Sequence, residues 1–384
     1  MRYISILGST GSVGEQTLDI IRNNKDHFRV HSLTAFQNFL KLSDQIKEFS
    51  PKVVVTGTES NLEPLFPDVQ FRIGGNPLTE VVTDSEIDLV VLAIVGIAAL
   101  KPLEAAIKAG KSIALANKES IVAAGHLLMP MVKNYGAQIL PIDSEHNAIF
   151  RIIKEREKLN ISSVTLMASG GPFLNRPLES FRDITPDEAI RHPHWSMGEK
   201  ISVDSATMMN KGLEIFEARW LFNLKSSEIK TLIHPECEVH AKVEFDSGES
   251  LVFCGKPDMR EPIGFTLFWP QKAPAIQSGI SDFSEASRFR FLEIDRKRFP
   301  AFRLAREVLQ SGSQSGAIIL NAANEVAVDA FLSRNIRFSQ IHQVVESSLS
   351  RFPDVTPGSI LDVFAIDSEV KIVARGIIRN LKGA

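Results

Sequence analysis

From Tyr3 to about Pro141, short β-branched apolar runs alternate with longer stretches in which apolar residues recur every three or four positions. That alternation predicts a parallel sheet whose strands are joined by crossover helices, an α/β arrangement. Residues 4–7, 30–33, 53–55, 89–92, 113–115 and 139–142 are apolar enough to be strands buried on both faces. Beyond them, residues 164–167 read as a further strand, and residues 239–245 and 251–253 bracket Asp246-Ser247-Gly248 in a hairpin pattern. A second, mixed α+β region is expected there. Residues 170–200 are rich in Pro, Gly, His and Trp, with one modest helical segment at 186–191, which is the pattern of a lid or binding loop. The pattern loosens again over 271–295, read as a linker. Helical periodicity then dominates, at 301–309, 316–332, 341–349 and 363–381, and predicts a small helical C-terminal domain over 296–384.

Composition narrows the class. A chain of 384 residues with 44% hydrophobic and 23% charged side chains is folded and globular, with room for two or three domains. Its 43 basic and 46 acidic residues nearly cancel, so no overall field would gather nucleic acid or an anionic membrane surface. Cys237 and Cys254 are too few for a disulfide framework, which fits a reducing compartment. The opening residues lack the h-region and cleavage site of an export signal. The most apolar stretch, near 89–100, is broken by Gly96 and followed by Lys101 and Pro102, short of the ~20 residues of a membrane span. A cytoplasmic protein without membrane or nucleic-acid partners is expected.

The first strand runs into Gly8-Ser9-Thr10-Gly11-Ser12-Val13-Gly14, and a helical pattern begins at Glu15. Glycines at such a turn let the backbone approach a pyrophosphate, and the helix N-terminus offers unpaired N–H groups. The spacing is G-x-x-G-x-x-G where G-x-G-x-x-G is commoner, so either a dinucleotide site or a plain strand-to-helix turn satisfies it. The second strand ends Phe36-Gln37-Asn38 with no acid to bond a ribose 2′-hydroxyl. That ending favours NADP over NAD, or merely starts a loop.

After the sixth predicted strand comes Asp143-Ser144-Glu145-His146-Asn147, at the sheet edge where open α/β folds bind ligands. Two carboxylates one residue apart can converge on a hard cation, and their oxygens suit Mg2+ or Mn2+; a helix cap is the other reading of the same spacing. Glu214 is the candidate third ligand. Ser205, Asn210 and Lys211, with Ser169 and His192, offer hydroxyls, an amide and cations in the combination that binds a phosphate monoester. Taken singly, each is equally a solvated loop or cap residue.

These motifs, with Leu115-Ala116-Asn117-Lys118-Glu119-Ser120, residues 192–198, Ile233-His234-Pro235, Lys256-Pro257-Asp258-Met259-Arg260 and Leu320-Asn321-Ala322-Ala323-Asn324-Glu325-Val326, occur in the order of one family. The chain resembles the 1-deoxy-D-xylulose 5-phosphate reductoisomerases over nearly its whole length. The resemblance implies a Rossmann-like NADP-binding domain at 1–142, a catalytic and connecting domain at 143–270 with a flexible flap about 170–200, and the C-terminal helical bundle. It implies a homodimer that rearranges and reduces a small phosphorylated sugar with NADPH and Mg2+ or Mn2+, by retro-aldol cleavage, recombination and hydride transfer. Asp143, Glu145 and Glu214 would be the metal ligands, and these with Lys118 the catalytic set. Lys118, Ser144, Glu145, Ser169, His192, Ser205, Asn210, Lys211 and Glu214 would meet substrate. Thr10, Gly11, Ser12, Val13, Gln37, Asn38, Asn117, Glu119 and Gly198 would meet the cofactor. Phe36 and Gln37 depart from the family, which has Gly and a basic residue there. Two other classes stay open on the residues alone. A simple NADP dehydrogenase without rearrangement would act independently of metal, and a non-enzymatic metabolite sensor would have no use for three acids and Lys118.

Overall fold

Seven strands form one parallel sheet in a computed structural model that describes residues 1–193, 195, 197–273, 279–282 and 289–382. They are β1 (Arg2–Leu7), β2 (Phe28–Ala35), β3 (Val53–Thr56), β4 (Gln70–Ile73), β5 (Leu89–Leu92), β6 (Ser112–Leu115) and β7 (Gln138–Pro141). Their order is β4-β3-β2-β1-β5-β6-β7, with every neighbouring pair parallel. The chain builds outward from β1 on one side and then returns to β5 on the other. The carboxyl ends of β1 and β5 therefore flank the topological switch point, where such sheets bind ligands. Ile4, Ile6 and all four residues of β5 are fully buried, as strands covered on both faces must be.

The connecting helices are α1 (Ser12–Arg22), α2 (Phe39–Phe49), α3 (Asn76–Thr83), α4 (Leu100–Lys108) and α5 (Lys118–Tyr135), with α6 (Ser144–Glu155) following β7. Two expectations need correction. The sheet has seven strands, not six, so the acidic motif follows the seventh; the additional strand, β4, is a partly exposed edge with no apolar run. The first helix begins at Ser12, inside the glycine motif, not at Glu15.

Contacts divide the chain into two compact units. The first comprises residues 1–120, 128–147 and 258–276. Its late segment follows from packing: on the helix at Arg260–Phe268, Phe268 sets its ring edge-on to Phe28 at 4.8 Å, and Arg2 donates to the carbonyls of Leu267 and Trp269.

The second unit comprises residues 121–127, 148–257 and 277–384. Its helices include α7 (Pro186–Ala189), α8 (Glu199–Thr207) and α9 (Met209–Leu221); the Arg260–Phe268 helix of the first unit is α10. Its sheet has the order β12-β11-β10-β8-β9, from β8 (Ile161–Ala168), β9 (Ile229–Ile233), β10 (Val239–Phe245), β11 (Ser250–Cys254) and β12 (Gly279–Asp282). The hairpin of β10 and β11 is as expected; among the described residues only β8 and β9 pair in parallel in this sheet. The stretch 271–295 read as a linker carries β12, antiparallel to β11, and Leu292 bridges to Ile233. Parts of that stretch, 274–278 and 283–288, lie outside the described residues, as do His194 and Ser196 of the flap.

Four helices complete this unit: α11 (Pro300–Ser311), α12 (Gln314–Leu332), α13 (Ile341–Leu349) and α14 (Ile360–Lys382). Helix α12 is long and apolar enough to cross a membrane by composition, but 78% of that window is buried inside the protein, so it serves as a core helix. Its start is fixed by Ser313, whose hydroxyl accepts from the Gly316 N–H at 2.8 Å.

Candidate active site

In the first unit the glycine turn is built from backbone contacts. Gly8 has φ +88°, and a Cβ there would lie 2.7 Å from the Ala93 carbonyl oxygen. A Cβ on Gly14 would fall 2.4 Å from the Gly8 oxygen, so turn and helix can close only on a glycine. Gly11 differs: it is exposed, with extended backbone, and its added Cβ would be no nearer than 3.4 Å to any protein atom. Folding does not require a glycine at that position, whereas close approach of a ligand does. Helix α1 also lacks any side-chain cap, so the turn fits a pyrophosphate. Thr10, Ser12 and Val13 lie on this turn and the opening of α1.

Asn38 caps α2, its Oδ1 accepting from the Lys41 N–H at 3.3 Å, and Gln37 precedes it on the surface. Asn117, only 2% exposed, caps α5 through the Ser120 N–H and donates to the carbonyls of Ile94 and Gly96 and to Glu119. Its side chain thus ties the loops after β5 and β6 together. Gly198, the remaining cofactor candidate, precedes α8 in the second unit.

Beside that loop, the Lys118 ammonium stands 2.5 Å from Asp143 Oδ2, and Lys118 is only 5% exposed. Asp143 directly precedes α6. Asn147, on the first turn of α6, donates through Nδ2 to the Pro141 carbonyl at 2.9 Å and so fixes the turn that carries the acids. Glu145 accepts from the Ser144 hydroxyl at 2.7 Å. Asp143, paired with Lys118, and Glu145, paired with Ser144, thus stand close together along the chain at the start of α6, and their carboxylate oxygens are of the kind that suits a hard divalent cation.

In the second unit, β8 leads into Ser169-Gly170-Gly171. A Cβ on Gly171 would meet the Ser205 carbonyl oxygen at 2.7 Å, so this turn lies directly against the end of α8. Ser169 Oγ accepts from the Gly171 N–H at 3.1 Å and lies 3.0 Å from His192 Nε2. His192 Nδ1 accepts from the Trp195 N–H at 3.0 Å, which puts the neutral ring's proton on Nε2, donating to Ser169.

Ser205, Asn210 and Lys211 are open singly to reading as loop or cap residues, but Ser205 lies on helix α8, and Asn210 and Lys211 lie with Glu214 on helix α9. The two helices break at Met208, which takes a left-handed φ of +63°. Glu214 accepts from Lys211 Nζ and from Asn210 Nδ2, both at 2.5 Å, in the buried interior. A buried carboxylate requires such partners. Of the residues singled out in the sequence, the first unit pairs Lys118 with Asp143 and Ser144 with Glu145; the second pairs Ser169 with His192, sets the Ser205 backbone against the Gly171 turn, and brings Asn210 and Lys211 to Glu214. His146 and Glu217 escaped notice, although both are fully or almost fully buried. The available signal for Glu217 was an acid one helical turn beyond Glu214. His234 is satisfied structurally, donating from Nδ1 to the Arg290 carbonyl and accepting at Nε2 from the Glu238 N–H.

A parallel sheet with a glycine turn at its switch point, and acids with a lysine at a neighbouring strand end, defines an enzyme of the dinucleotide-binding α/β class. The comparisons are narrower. The model of 1-deoxy-D-xylulose 5-phosphate reductoisomerase matches residues 4–125, that of its C-terminal domain 139–222, and a DXP reductoisomerase C-terminal domain 254–373. The 1-deoxy-D-xylulose 5-phosphate reductoisomerase of Tolumonas auensis is 42% identical, covering 99% of this chain and 100% of its own length. That of Ralstonia nicotianae is 43% identical, over 97% of this chain and 96% of its own. A crystal structure of DOX-P reductoisomerase in complex with NADPH, fosmidomycin and magnesium superposes with a TM-score of 0.89 at 37% identity, covering 100% of this chain and 99% of that one. The Zymomonas mobilis enzyme in complex with NADPH superposes at 0.86 with 40% identity, over 98% and 99%. The chain belongs to the 1-deoxy-D-xylulose 5-phosphate reductoisomerase family.

Proposed function

We propose that the chain converts 1-deoxy-D-xylulose 5-phosphate to 2-C-methyl-D-erythritol 4-phosphate, a step of isoprenoid precursor biosynthesis, using NADPH and Mg2+ or Mn2+. The observation that carries this reading is that two carboxylates, Asp143 and Glu214, are each neutralised at 2.5 Å by a lysine of the same unit, Lys118 and Lys211. With a cation and a phosphorylated substrate bound, Asp143 and Glu214 would hold the metal and Lys118 and Lys211 would meet substrate oxygens. Glu145 is the third ligand. When bound, the cation polarises the substrate carbonyl and NADPH donates the hydride.

The protein's own groups do the rest. Lys211, Asn210, Ser205 and Ser169 bind and orient the phosphate end, with His192 holding Ser169 in place. Lys118 stabilises negative charge as it grows on a substrate oxygen, and Glu145 accepts and returns the proton that the rearrangement displaces. Ser144 orients Glu145. Thr10, Gly11, Ser12, Val13, Gln37, Asn38, Asn117, Glu119 and Gly198 meet the cofactor. Segment 170–200, with Trp195, closes over the substrate and keeps water from the cleaved intermediate. The same reading makes the protein a cytoplasmic homodimer without nucleic-acid or membrane partners. Its net charge of −3 and its having two cysteines support the location, and likeness to the family supports the dimer.

Purified protein mixed with 1-deoxy-D-xylulose 5-phosphate should oxidise NADPH only when Mg2+ or Mn2+ is present, and Glu214→Gln should lose at least about a hundredfold of that rate. Equal oxidation without metal, or an unrearranged product, would identify a simple dehydrogenase instead.

A further inference from the structure

Phe36 is an aromatic ring standing 67% exposed just beyond the carboxyl end of β2. The glycine turn is stitched to that strand end: the Gly8 N–H donates to Thr34 Oγ1 at 3.0 Å and the Ser9 N–H to the Thr34 carbonyl at 2.9 Å. On the other side the Gly57 N–H donates to the Ala35 carbonyl at 3.2 Å. A dinucleotide with its pyrophosphate on the turn lays its adenosine half over this strand end. The Phe36 ring is seated there on Gly57, where an added Cβ would fall 1.9 Å from the ring's Cδ2. Any side chain at position 57 would push the ring off its seat.

Electrostatics at the same place do not suit a 2′-phosphate. Readers of that group bring a cation to the end of the second strand. Here Gln37 and Asn38 are neutral, and Asn38 Oδ1 caps α2. Between Ala35 and Glu63 the basic residues are Lys41, Lys47 and Lys52. Each is paired with a carboxylate, Lys41 with Glu15 at 2.5 Å, Lys47 with Asp44 at 3.4 Å and Lys52 with Glu86. Glu59 adds a negative charge two residues after Gly57.

Building on the reading of the chain as an NADPH-dependent reductoisomerase, we propose that Phe36 is a cofactor-binding residue that stacks on the adenine, while the strand end forms no ion pair with the 2′-phosphate. NADH and NADPH then bind with similar affinity, and both serve as reductants.

Equilibrium titration of the full chain with each nucleotide, followed by nicotinamide fluorescence, tests this apart from turnover. The two dissociation constants should lie within about tenfold of each other. Phe36→Ala should weaken both by about tenfold or more, as loss of one base-stacking platform does. Gln37→Arg should strengthen NADPH alone. Because Phe36 is exposed, its variant should unfold at the wild-type temperature, which separates binding from folding. The inference is overturned if NADPH binds more than about tenfold tighter than NADH, if Phe36→Ala leaves both unchanged, or if Lys41→Ala weakens NADPH selectively. In those cases NADPH still binds and metal-dependent turnover survives. Absence of binding by either nucleotide would remove the underlying reading as well.

Discussion

Lys211 and Glu214 stand one turn apart on α9 with ammonium and carboxylate in contact, at 3% and 2% exposure. Removing one member leaves the other charged and buried, which costs about 3–5 kcal/mol, whereas removing both costs much less. Lys211→Met should therefore lower stability by about that amount, and adding Glu214→Gln should recover most of it. Urea unfolding at neutral pH measures this. A single variant with the wild-type midpoint would show that the pair does not behave as an ion pair in the folded protein.

The glycine turn separates folding from binding. At Gly14 a methyl group would lie 2.4 Å from the Gly8 oxygen and 2.6 Å from the Ser9 Cα, so Gly14→Ala must shift backbone and should destabilise the first unit by about 2 kcal/mol or more. At Gly11 the nearest atom is 3.4 Å away and the backbone is one that alanine adopts. Gly11→Ala should fold normally and yet bind NADPH at least about tenfold more weakly, because its methyl group occupies the path of the pyrophosphate. Thermal unfolding beside nucleotide titration distinguishes the two; equal losses of stability would contradict the assignment.

Trp195 reaches the site through its backbone, donating to His192 Nδ1, while its ring lies 6.4 Å from that of His240. Truncating the ring keeps the backbone bond but removes the bulk that the proposed closure of the segment relies on. Trp195→Ala should raise KM for the sugar phosphate about tenfold or more and shift the unfolding temperature by only a few degrees. Unchanged steady-state kinetics would show that the segment closes without it.

How far the sequence could be read followed from packing. The six predicted strands were legible because strands such as Leu89–Leu92 are buried on both faces and therefore continuously apolar. Strand β4 was not, because Gln70-Phe71-Arg72-Ile73 lies on an edge and needs no apolar run. The same holds for β12, which begins Gly-Ile-Ser. Helix α9 escaped because Met209 and every residue from Lys211 to Ala218 are buried, Lys211, Glu214 and Glu217 among them, so its polar positions do not mark a solvent-facing side. In the site, the acids and lysines were legible as residue types at suggestive spacings. The pairing of Lys118 with Asp143 was not, since it depends on α5 and α6 starting from the neighbouring strands β6 and β7. Phe36 and Gln37 were legible as an unusual strand ending, but only coordinates revealed the ring's seat on Gly57.

Glu244 connects pH to the stability of the second unit. It lies on β10 opposite Ser163 of β8, and its carboxylate accepts from Lys230 at 2.6 Å, from Lys242 at 2.9 Å and from the Ser163 hydroxyl. Those hydrogen bonds, Lys230 foremost, hold its pKa down from 4.5 to about 2. A carboxyl group depressed on folding contributes stability that is complete above its unfolded pKa and is lost as pH falls through the folded one. The window here runs from about pH 4.5 down to about pH 2. Because the Glu244 side chain is 31% exposed and Lys230 more so, solvent screening reduces the contribution to about 1–2 kcal/mol. Glu244→Gln should therefore be less stable than wild type by about that amount at pH 7, and the difference should shrink steadily below pH 4.5. Paired urea titrations from pH 7 to 3 measure it; a difference that stays constant over that range would mean the side chain acts through shape, not charge.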